Sequence, residues 1–284
     1  MAELLKGAAV AAALDKKTTA AVATLRSKGV DATLAILRVG ERADDVSYER
    51  GAIKRCSQTG IRVKQVTLPR DVQSHVFFST LDSLNHDDAV HGILMFRPLP
   101  GQIDEDQARQ RLFFEKDVDG STDPSLAGVF TGVYQGFPPC TAQAAIEMLD
   151  YYQIPCEGKR AVVIGRSLVI GRPVSMMLLQ KNATVTICHT RTQNICDIAR
   201  EADILITCTG KMESIGKDYL RKGQTVIDVG IGWNEEKGKL CGDVRWEEAV
   251  DIVDRITPVP GGVGSVTTSV LMSHVAKAAE RMMR

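Results

Sequence analysis

Three groups of residues in this chain are of types and at spacings that could do chemistry. The first is the run from Arg160 to Pro173, R-A-V-V-I-G-R-S-L-V-I-G-R-P. Ala161 to Ile164 is apolar and β-branched, as a buried strand is. Gly165 breaks the run, Arg166 and Ser167 follow, and Gly171-Arg172-Pro173 opens a helical pattern through Ser175, Met177 and Leu178. A strand, a glycine turn and a helix start leave backbone N–H groups aimed at one point, which suits a phosphate. The same shape also serves as an ordinary turn in any α/β protein, and the three-glycine dinucleotide fingerprint is absent.

The second group ends the next strand, at Cys188-His189-Thr190-Arg191-Thr192. In dinucleotide folds this point meets the adenosine ribose, where an acid favours NAD. Here hydroxyls and Arg191 stand in place of an acid, with Arg166 in the preceding turn, and bidentate cations suit a 2′-phosphate. That favours NADP over NAD. The alternative is a solvated surface arginine, and His189 reads as packed or capping. The third group is Tyr48 with Lys54, and Asp117 with Asp119. Tyr48 and Lys54 are six residues apart and do not share a helix face, and position 52, which would share the tyrosine's face, is Ala52. Tyr48 reads equally as a core aromatic. The aspartate pair beside Gly120 reads as a polar loop rather than a metal site, since no histidine or third acid lies at ligand spacing.

The bulk numbers set the bounds. A chain of 284 residues is long enough for two modest domains. Its composition, 44% hydrophobic and 25% charged, is that of an ordinary globular protein. Lys+Arg and Asp+Glu both number 35, so no nucleic-acid partner is expected. Seven scattered cysteines without a C-x-x-C pair fit a reducing compartment, with neither a disulfide framework nor a zinc site. The opening M-A-E-L-L-K-G lacks the apolar region of a secretory signal, and no run is long enough to span a membrane. A cytoplasmic location is expected.

The elements that position these groups alternate. A helix is predicted over Ala8–Arg26, then strand Thr33–Val39, helix Asp44–Thr59, strand Ile61–Leu68, helix Val72–Leu84 and strand Val90–Phe96. Such alternation implies a parallel sheet covered by helices, and an α/β class. The stretch from Arg97 to Gly120 is punctuated by proline and glycine. Pro138-Pro139-Cys140-Thr141 is a breaker before a helix over Ala142–Tyr152, and the domain boundary is placed near it. A second series follows from Arg160: strand 161–164, helix 172–180, strand Thr184–Cys188, helix 194–201, and strands Ile204–Thr207 and Thr225–Val229. Gly230-Ile231-Gly232 ends that last strand in a turn, and Gly238–Val253 is mixed. Pro258-Val259-Pro260-Gly261-Gly262-Val263-Gly264 must be a rigid, tightly turned loop, and a helix over Val266–Met283 closes the chain.

Taken together, Asp117-Val118-Asp119-Gly120, Pro139-Cys140-Thr141, Val163-Ile164-Gly165-Arg166-Ser167 with Gly171 and Pro173, Asp228-Val229-Gly230-Ile231 and the Pro258–Gly264 loop resemble the methylenetetrahydrofolate dehydrogenase/cyclohydrolase family of the FolD type. The order and spacing match over nearly the whole chain. The resemblance implies two domains with a cleft between them, usually in a homodimer. An N-terminal α/β domain, residues 1–139 with 264–284, would hold a tetrahydrofolate derivative. A Rossmann-like domain, residues 140–263, would hold NAD(P). It further implies that Tyr48 stacks on the folate rings and Asp119 binds the pterin, the two residues expected to be catalytic. Gly165, Arg166, Ser167, Thr190, Arg191 and Ile231 would contact the dinucleotide, and Pro260, Gly261, Gly262 and Val263 the substrate, with no metal.

The departures from the family pattern are as informative. Tyr-x-x-x-Lys is here Tyr48-Glu49-Arg50-Gly51-Ala52, which lacks the catalytic lysine. Gln-Leu-Pro-Leu-Pro becomes Phe96-Arg97-Pro98-Leu99-Pro100, the serine before the tyrosine becomes Asp45, and Ala142 and Ser265 stand where prolines are usual. Oxidation of the one-carbon bridge expels a hydride and moves no proton, so it needs orientation rather than a general base. Hydrolysis of the product needs water activated and protons moved, for which a positioned lysine is worth roughly 10²–10⁴-fold. A dehydrogenase with weak or absent cyclohydrolase activity is therefore expected. The alternatives are a bifunctional enzyme that recruits Lys54, and a non-catalytic binding homologue.

Overall fold

The structure, a computed structural model, describes residues 1–283. In chain order its elements are β1 (Glu3–Leu4), α1 (Gly7–Ser27), β2 (Thr33–Val39), α2 (Ala43–Thr59), β3 (Arg62–Leu68), α3 (Ser74–Asn85), β4 (Gly92–Met95), α4 (Glu105–Arg111), α5 (Asp123–Thr131) and α6 (Cys140–Tyr151). They continue with β5 (Arg160–Ile164), α7 (Gly171–Gln180), β6 (Thr184–Cys188), α8 (Ile195–Arg200), β7 (Ile204–Thr207), β8 (Thr225–Asp228), β9 (Gly232–Asn234), β10 (Lys239–Cys241), α9 (Trp246–Ala249), β11 (Arg255–Ile256) and α10 (Gly264–Met282).

These elements build two compact units. The N-terminal unit comprises Ala12–Cys140 with the chain from Thr268 onward, and the C-terminal unit comprises Thr141–Thr267 with Met1–Ala11. The first eleven residues thus differ from the expectation that residues 1–139 stay together. The reason is local pairing. Glu3 and Leu4 run parallel to Arg255 and Ile256, and the Gly7 N–H donates to the Gly261 carbonyl at 2.8 Å. Two residues in a strand carry no periodicity, so the sequence gives no sign of them. The C-terminal helix likewise passes from one unit to the other at Thr267–Thr268 rather than at residue 264.

The N-terminal unit has a three-stranded parallel sheet in the order β3-β2-β4. The central strand, T-L-A-I-L-R-V, is buried at every position after Thr33, as expected where helices cover both faces. Edge strand β3 shows no fully buried residue. Phe77, Leu81 and Leu84 of α3 pack with Leu37, Ile93, Ala108 and Leu112 to form the core. The stretch after Phe96 is less loop-like than its composition suggests, since α4 and α5 lie within and just beyond it. Thr122 caps α5, its hydroxyl accepting from the Ser125 N–H, with Pro124 in the first turn.

The C-terminal unit has a six-stranded sheet in the order β1-β11-β8-β7-β5-β6, parallel throughout. Strand order reverses between β5 and β7, the topological switch point where open α/β sheets bind ligands. This is a Rossmann-like sheet. The mixed segment resolves into the antiparallel hairpin β9–β10 and the short helix α9. No helix among the described residues is long and apolar enough to cross a membrane.

Phe77 is fully buried, with its ring edge-on to Phe78 at 5.4 Å. Phe77→Ala should cost about 3–5 kcal/mol through lost burial and a residual cavity. Urea denaturation should read this as a lower midpoint for the N-terminal unit, with far-UV dichroism of the native state unchanged.

Candidate active site

In the N-terminal unit the candidate side chains come from helix α2, the end of β4 and the Asp117–Gly120 loop. The inner stripe of α2 is Asp45, Glu49, Ala52, Cys56 and Thr59, all buried. Glu49 is held by two partners: Arg38 Nε donates to its Oε2 at 2.5 Å and Gln65 Nε2 to its Oε1 at 2.8 Å. The same arginine donates to the Gly40 carbonyl. α2 is thereby tied to both β2 and β3. Tyr48 sits beside Glu49, half-buried, and its ring meets Phe96 edge-on at 5.9 Å and 81°. Phe96 is buried and follows β4, where its N–H donates to the Leu37 carbonyl at 3.0 Å.

Two aspartates separated by one residue have different fates. Asp117 is fully buried and spends its carboxylate inside the loop, accepting from the Ser121 and Thr122 N–H groups at 3.0 and 2.7 Å and from the Ser121 and Ser125 hydroxyls at 3.2 and 2.8 Å. Asp119 keeps part of its surface open. Burial, then the charge of Asp117, pushes its carboxyl up to about 6, while Arg97 and a hydrogen bond with Cys140 pull partly against that shift. The Tyr48 hydroxyl is raised well above its ordinary value by burial, then by Asp119 and Cys140. Tyr48, Asp119 and Cys140 are therefore electrostatic neighbours. Gly120 makes the loop possible: its φ is +73°, and an added Cβ would stand 2.4 Å from the Pro138 carbonyl carbon.

Further residues shape this site, and of these His274 was not marked by the sequence. His274 Nδ1 donates to the Val118 carbonyl at 2.8 Å and lies 3.6 Å from Cys140 Sγ, with its ring stacked on Phe137 at 4.9 Å. Burial drives its imidazole down to about 3, so it is a neutral clamp on the aspartate loop. Arg97 bears on Asp119 and pairs with Glu105 at 3.8 Å, while Glu105 Oε2 accepts from the Leu99 N–H at 2.9 Å. An arginine amid prolines was the available signal. Lys54 is exposed, whereas Ala52 is completely buried one turn beyond Tyr48.

In the C-terminal unit the expected phosphate turn is built by steric necessity. Gly165 has φ +137°, and a Cβ there would lie 2.4 Å from the Cys208 carbonyl oxygen; one on Gly171 would lie 2.3 Å from the Gly165 oxygen. No side chain caps α7, while Arg166 and Ser167 are exposed in front of it. Such a cradle fits a diphosphate. Beside it, the turn after β6 is closed by His189, whose N–H donates to the Thr192 hydroxyl at 2.9 Å and whose Nδ1 accepts from the Arg191 N–H at 3.1 Å. His189 is thus a turn-closing residue, and Thr190 and Arg191 face solvent. Ile231 is 59% exposed at the end of β8, beyond Asp228. Asp228 is buried and accepts from the Thr207 hydroxyl at 2.9 Å and the Gly230, Asp243 and Val244 N–H groups.

The Pro258–Gly264 loop has a cis Val259–Pro260 bond and Gly261 at φ +102°. A Cβ on Gly7 would stand 2.1 Å from the Gly262 oxygen, so two glycines meet where α1 begins. Pro260 and Gly261 are exposed; Val263 is buried at 1%, so its side chain belongs to the core and only the loop's outer part is open. Among the described residues no cluster of three or more His, Cys, Asp or Glu is arranged to hold a metal ion.

Two family models match the chain in succession. Residues 5–119 match the tetrahydrofolate dehydrogenase/cyclohydrolase catalytic domain, and residues 139–283 match the same family's NAD(P)-binding domain. The chain belongs to this family. Within the tetrahydrofolate dehydrogenase/cyclohydrolase family it is 48% identical to the bifunctional protein FolD of Carboxydothermus hydrogenoformans over 281 residues, covering 99% of this chain and 98% of the relative. The crystal structure of the bifunctional FolD of Campylobacter jejuni superposes with a TM-score of 0.95 at 36% identity, covering 99% of each chain. The Trypanosoma brucei enzyme, solved with NADP cofactor and an inhibitor, superposes with a TM-score of 0.92 at 34% identity, covering 100% of this chain and 99% of that one.

The Asp119 shift makes a measurable prediction. Its folded value of about 6 lies above the ordinary 3.8, so the stability it contributes is complete below 3.8 and is lost as pH rises through about 6. Asp119→Asn should therefore melt higher than the parent at pH 8, with the gap closing on acidification towards pH 4. A gap independent of pH would remove Asp119 as its source.

Proposed function

We propose that this protein oxidises 5,10-methylenetetrahydrofolate to 5,10-methenyltetrahydrofolate with NADP, as a cytoplasmic homodimer, and hydrolyses the product weakly or not at all. The carrying observation is the wall beside Tyr48. Ala52 is completely buried where the family places its lysine, and Phe96 stands against the Tyr48 ring where the family places glutamine. Lys54, the nearest substitute, is exposed. An apolar wall neither activates water nor returns a proton to a leaving nitrogen.

Hydride transfer makes smaller demands on the same residues. Tyr48 offers a ring face for stacking on the pterin, and Asp119 a carboxylate that accepts from its N–H groups once ionised. Both fix where the bridge carbon lies, and orientation is what this step needs. The dinucleotide, when bound, supplies the hydride acceptor. Gly165, Arg166 and Ser167 are the residues to hold its diphosphate, with Thr190 and Arg191 at the ribose and Ile231 and Pro260–Gly262 lining the reacting end.

Two measurements check this reading. Ala52→Lys with Phe96→Gln should raise the decay of methenyltetrahydrofolate absorbance by about 10²-fold, while the parent shows hydride transfer far outrunning hydrolysis. Parent hydrolysis matching its own hydride transfer would refute the proposal. For the cofactor, a charge-assisted hydrogen bond is worth about 1.5–3 kcal/mol, or roughly 10–100-fold in affinity. Arg191→Ala should raise KM for NADP by that factor and leave KM for NAD nearly unchanged.

A further inference from the structure

Asp119 can accept from the N–H groups of a ring only as a carboxylate, and its burial resists that charge. We propose that Arg97 is the positioning residue that keeps Asp119 ionised for the substrate, and that it lends the pocket a positive charge without a transferable proton. This inference rests on reading the chain as a folate dehydrogenase.

The first argument is placement. Arg97 lies two residues beyond β4, next to Phe96, whose ring meets that of Tyr48 at 5.9 Å. It therefore leaves the sheet at the carboxyl end of a parallel strand, where open α/β sheets take their ligands. Its side chain is only 22% exposed and makes no hydrogen bond among the described residues. Its one ion pair there is long, 3.8 Å from Nη1 to Glu105 Oε1, and the other oxygen of Glu105 is spent on the Leu99 N–H at 2.9 Å. A largely covered guanidinium with five donors and one loose partner has charge to spare. Asp119 feels that charge: Arg97 pulls its carboxyl down against burial and Asp117, and by more than the Cys140 hydrogen bond does.

The second argument is that the other groups around Asp119 do not supply a cation. Asp117 adds a like charge, although four donors saturate it. Tyr48 of α2 and Cys140 at the start of α6 are held in their neutral forms by burial. From α10, His274 reaches the Val118 carbonyl as a neutral imidazole, and Lys277 and Arg281 bear on that histidine. One turn beyond Tyr48, where the family pattern has a lysine, stands the buried Ala52. The positive charge of this pocket thus rests on a different residue type. A lysine can lend a proton to a leaving nitrogen, whereas a guanidinium keeps its own throughout the working range. Arg97 gives hydride transfer the electrostatics it needs and gives hydrolysis nothing.

A neighbouring cation lowers a carboxylate midpoint by about 1–3 pH units, and partial exposure with a share of Glu105 puts Arg97 at about one. Arg97→Gln should then raise the Asp119 midpoint from about 6 to about 7. With binding proportional to the ionised fraction, kcat/KM for methylenetetrahydrofolate falls about fivefold at pH 6, through KM, and hardly at all at pH 8.5. Arg97→Lys should keep the parent profile. Glu105→Gln removes the anion that competes for Arg97 but keeps an oxygen for the Leu99 N–H, so it should move the midpoint below that of the parent. A merely structural role does not give shifts of opposite sign. A loss equal at every pH in Arg97→Gln, or a profile that neither variant moves, overturns the assignment. Should Arg97→Gln not fold, the directions in Arg97→Lys and Glu105→Gln decide. Carbon-13 NMR of the aspartate carboxyls reads the same midpoints without substrate, the Asp119 signal being the one lost in Asp119→Asn. If the protein oxidises no folate, the functional reading fails separately and this titration decides alone. A midpoint that rises in Arg97→Gln and falls in Glu105→Gln supports the role of Arg97, and one common midpoint in parent and variants overturns it.

Discussion

The buried ion pair between Arg38 and Glu49 is the interaction on which the N-terminal half of the site depends. Arg38 is the one charged residue in β2, and it points its guanidinium at a helix rather than at water. With Glu49 also engaged by Gln65, the pair fixes the axial position and rotation of α2 against β2 and β3. Tyr48 is the preceding residue, Ala52 lies one turn beyond, and Gly40, whose carbonyl Arg38 also binds, borders a cavity lined by Arg42 and Arg70. A buried pair of this kind is no guarantee of net stability, but removing one partner leaves an uncompensated charge and costs about 3–5 kcal/mol. Its value here is geometric. Three features separated in sequence are held to one frame by three hydrogen bonds.

The aspartate loop shows the complementary device, in which neighbouring groups of one chemical type are given different work by their surroundings. Asp117 is saturated by four donors and serves as the loop's internal anchor. Asp119 receives far less compensation, and burial raises its carboxyl to about 6. The His274 clamp makes this contrast sustainable. A neutral imidazole holds the Val118 carbonyl between the two acids without bringing a positive charge that would relieve Asp119. The same economy appears at Asp228, whose carboxyl receives one hydroxyl and three backbone N–H groups and organises the turns around it.

The alternation of strands and helices was legible because each element repeats its pattern over several turns or pleats, as in T-L-A-I-L-R-V and in the Ala-rich first helix. The phosphate turn was legible in outline, and the structure gives the steric reason for Gly165 and Gly171. What escaped was short or non-local. β1 and β11 are two residues each and exist only by pairing with one another and β8. α4 lies in a stretch whose prolines and glycines suggested a loop, and α5 follows just beyond it, where Thr122 and Pro124 mark the helix start. Phe96 against Tyr48, and His274 against Val118, join residues 48 and 156 positions apart. No window along the chain contains such a contact. Arg38 left a trace, a cation inside an apolar strand run, whose meaning required knowing what faced it.

The two reactions of the family place unequal demands on one pocket, and the substitutions here fall along that division. A hydride leaves with its electron pair, and the flanking nitrogens of the substrate stabilise the cation that remains. On the function proposed above, the protein's share is to hold the ring on Tyr48 and anchor the pterin at Asp119, and neither role depends on a polar neighbour. Attack by water creates an intermediate that cannot collapse towards product until a proton reaches nitrogen, and that transfer needs a polar group within hydrogen-bond reach. Ala52 has no such group, and Phe96 presents a ring edge to Tyr48 where a polar side chain would offer one. On the function proposed above, such a pocket releases the methenyl product rather than consuming it, and its hydrolysis falls to a separate reaction.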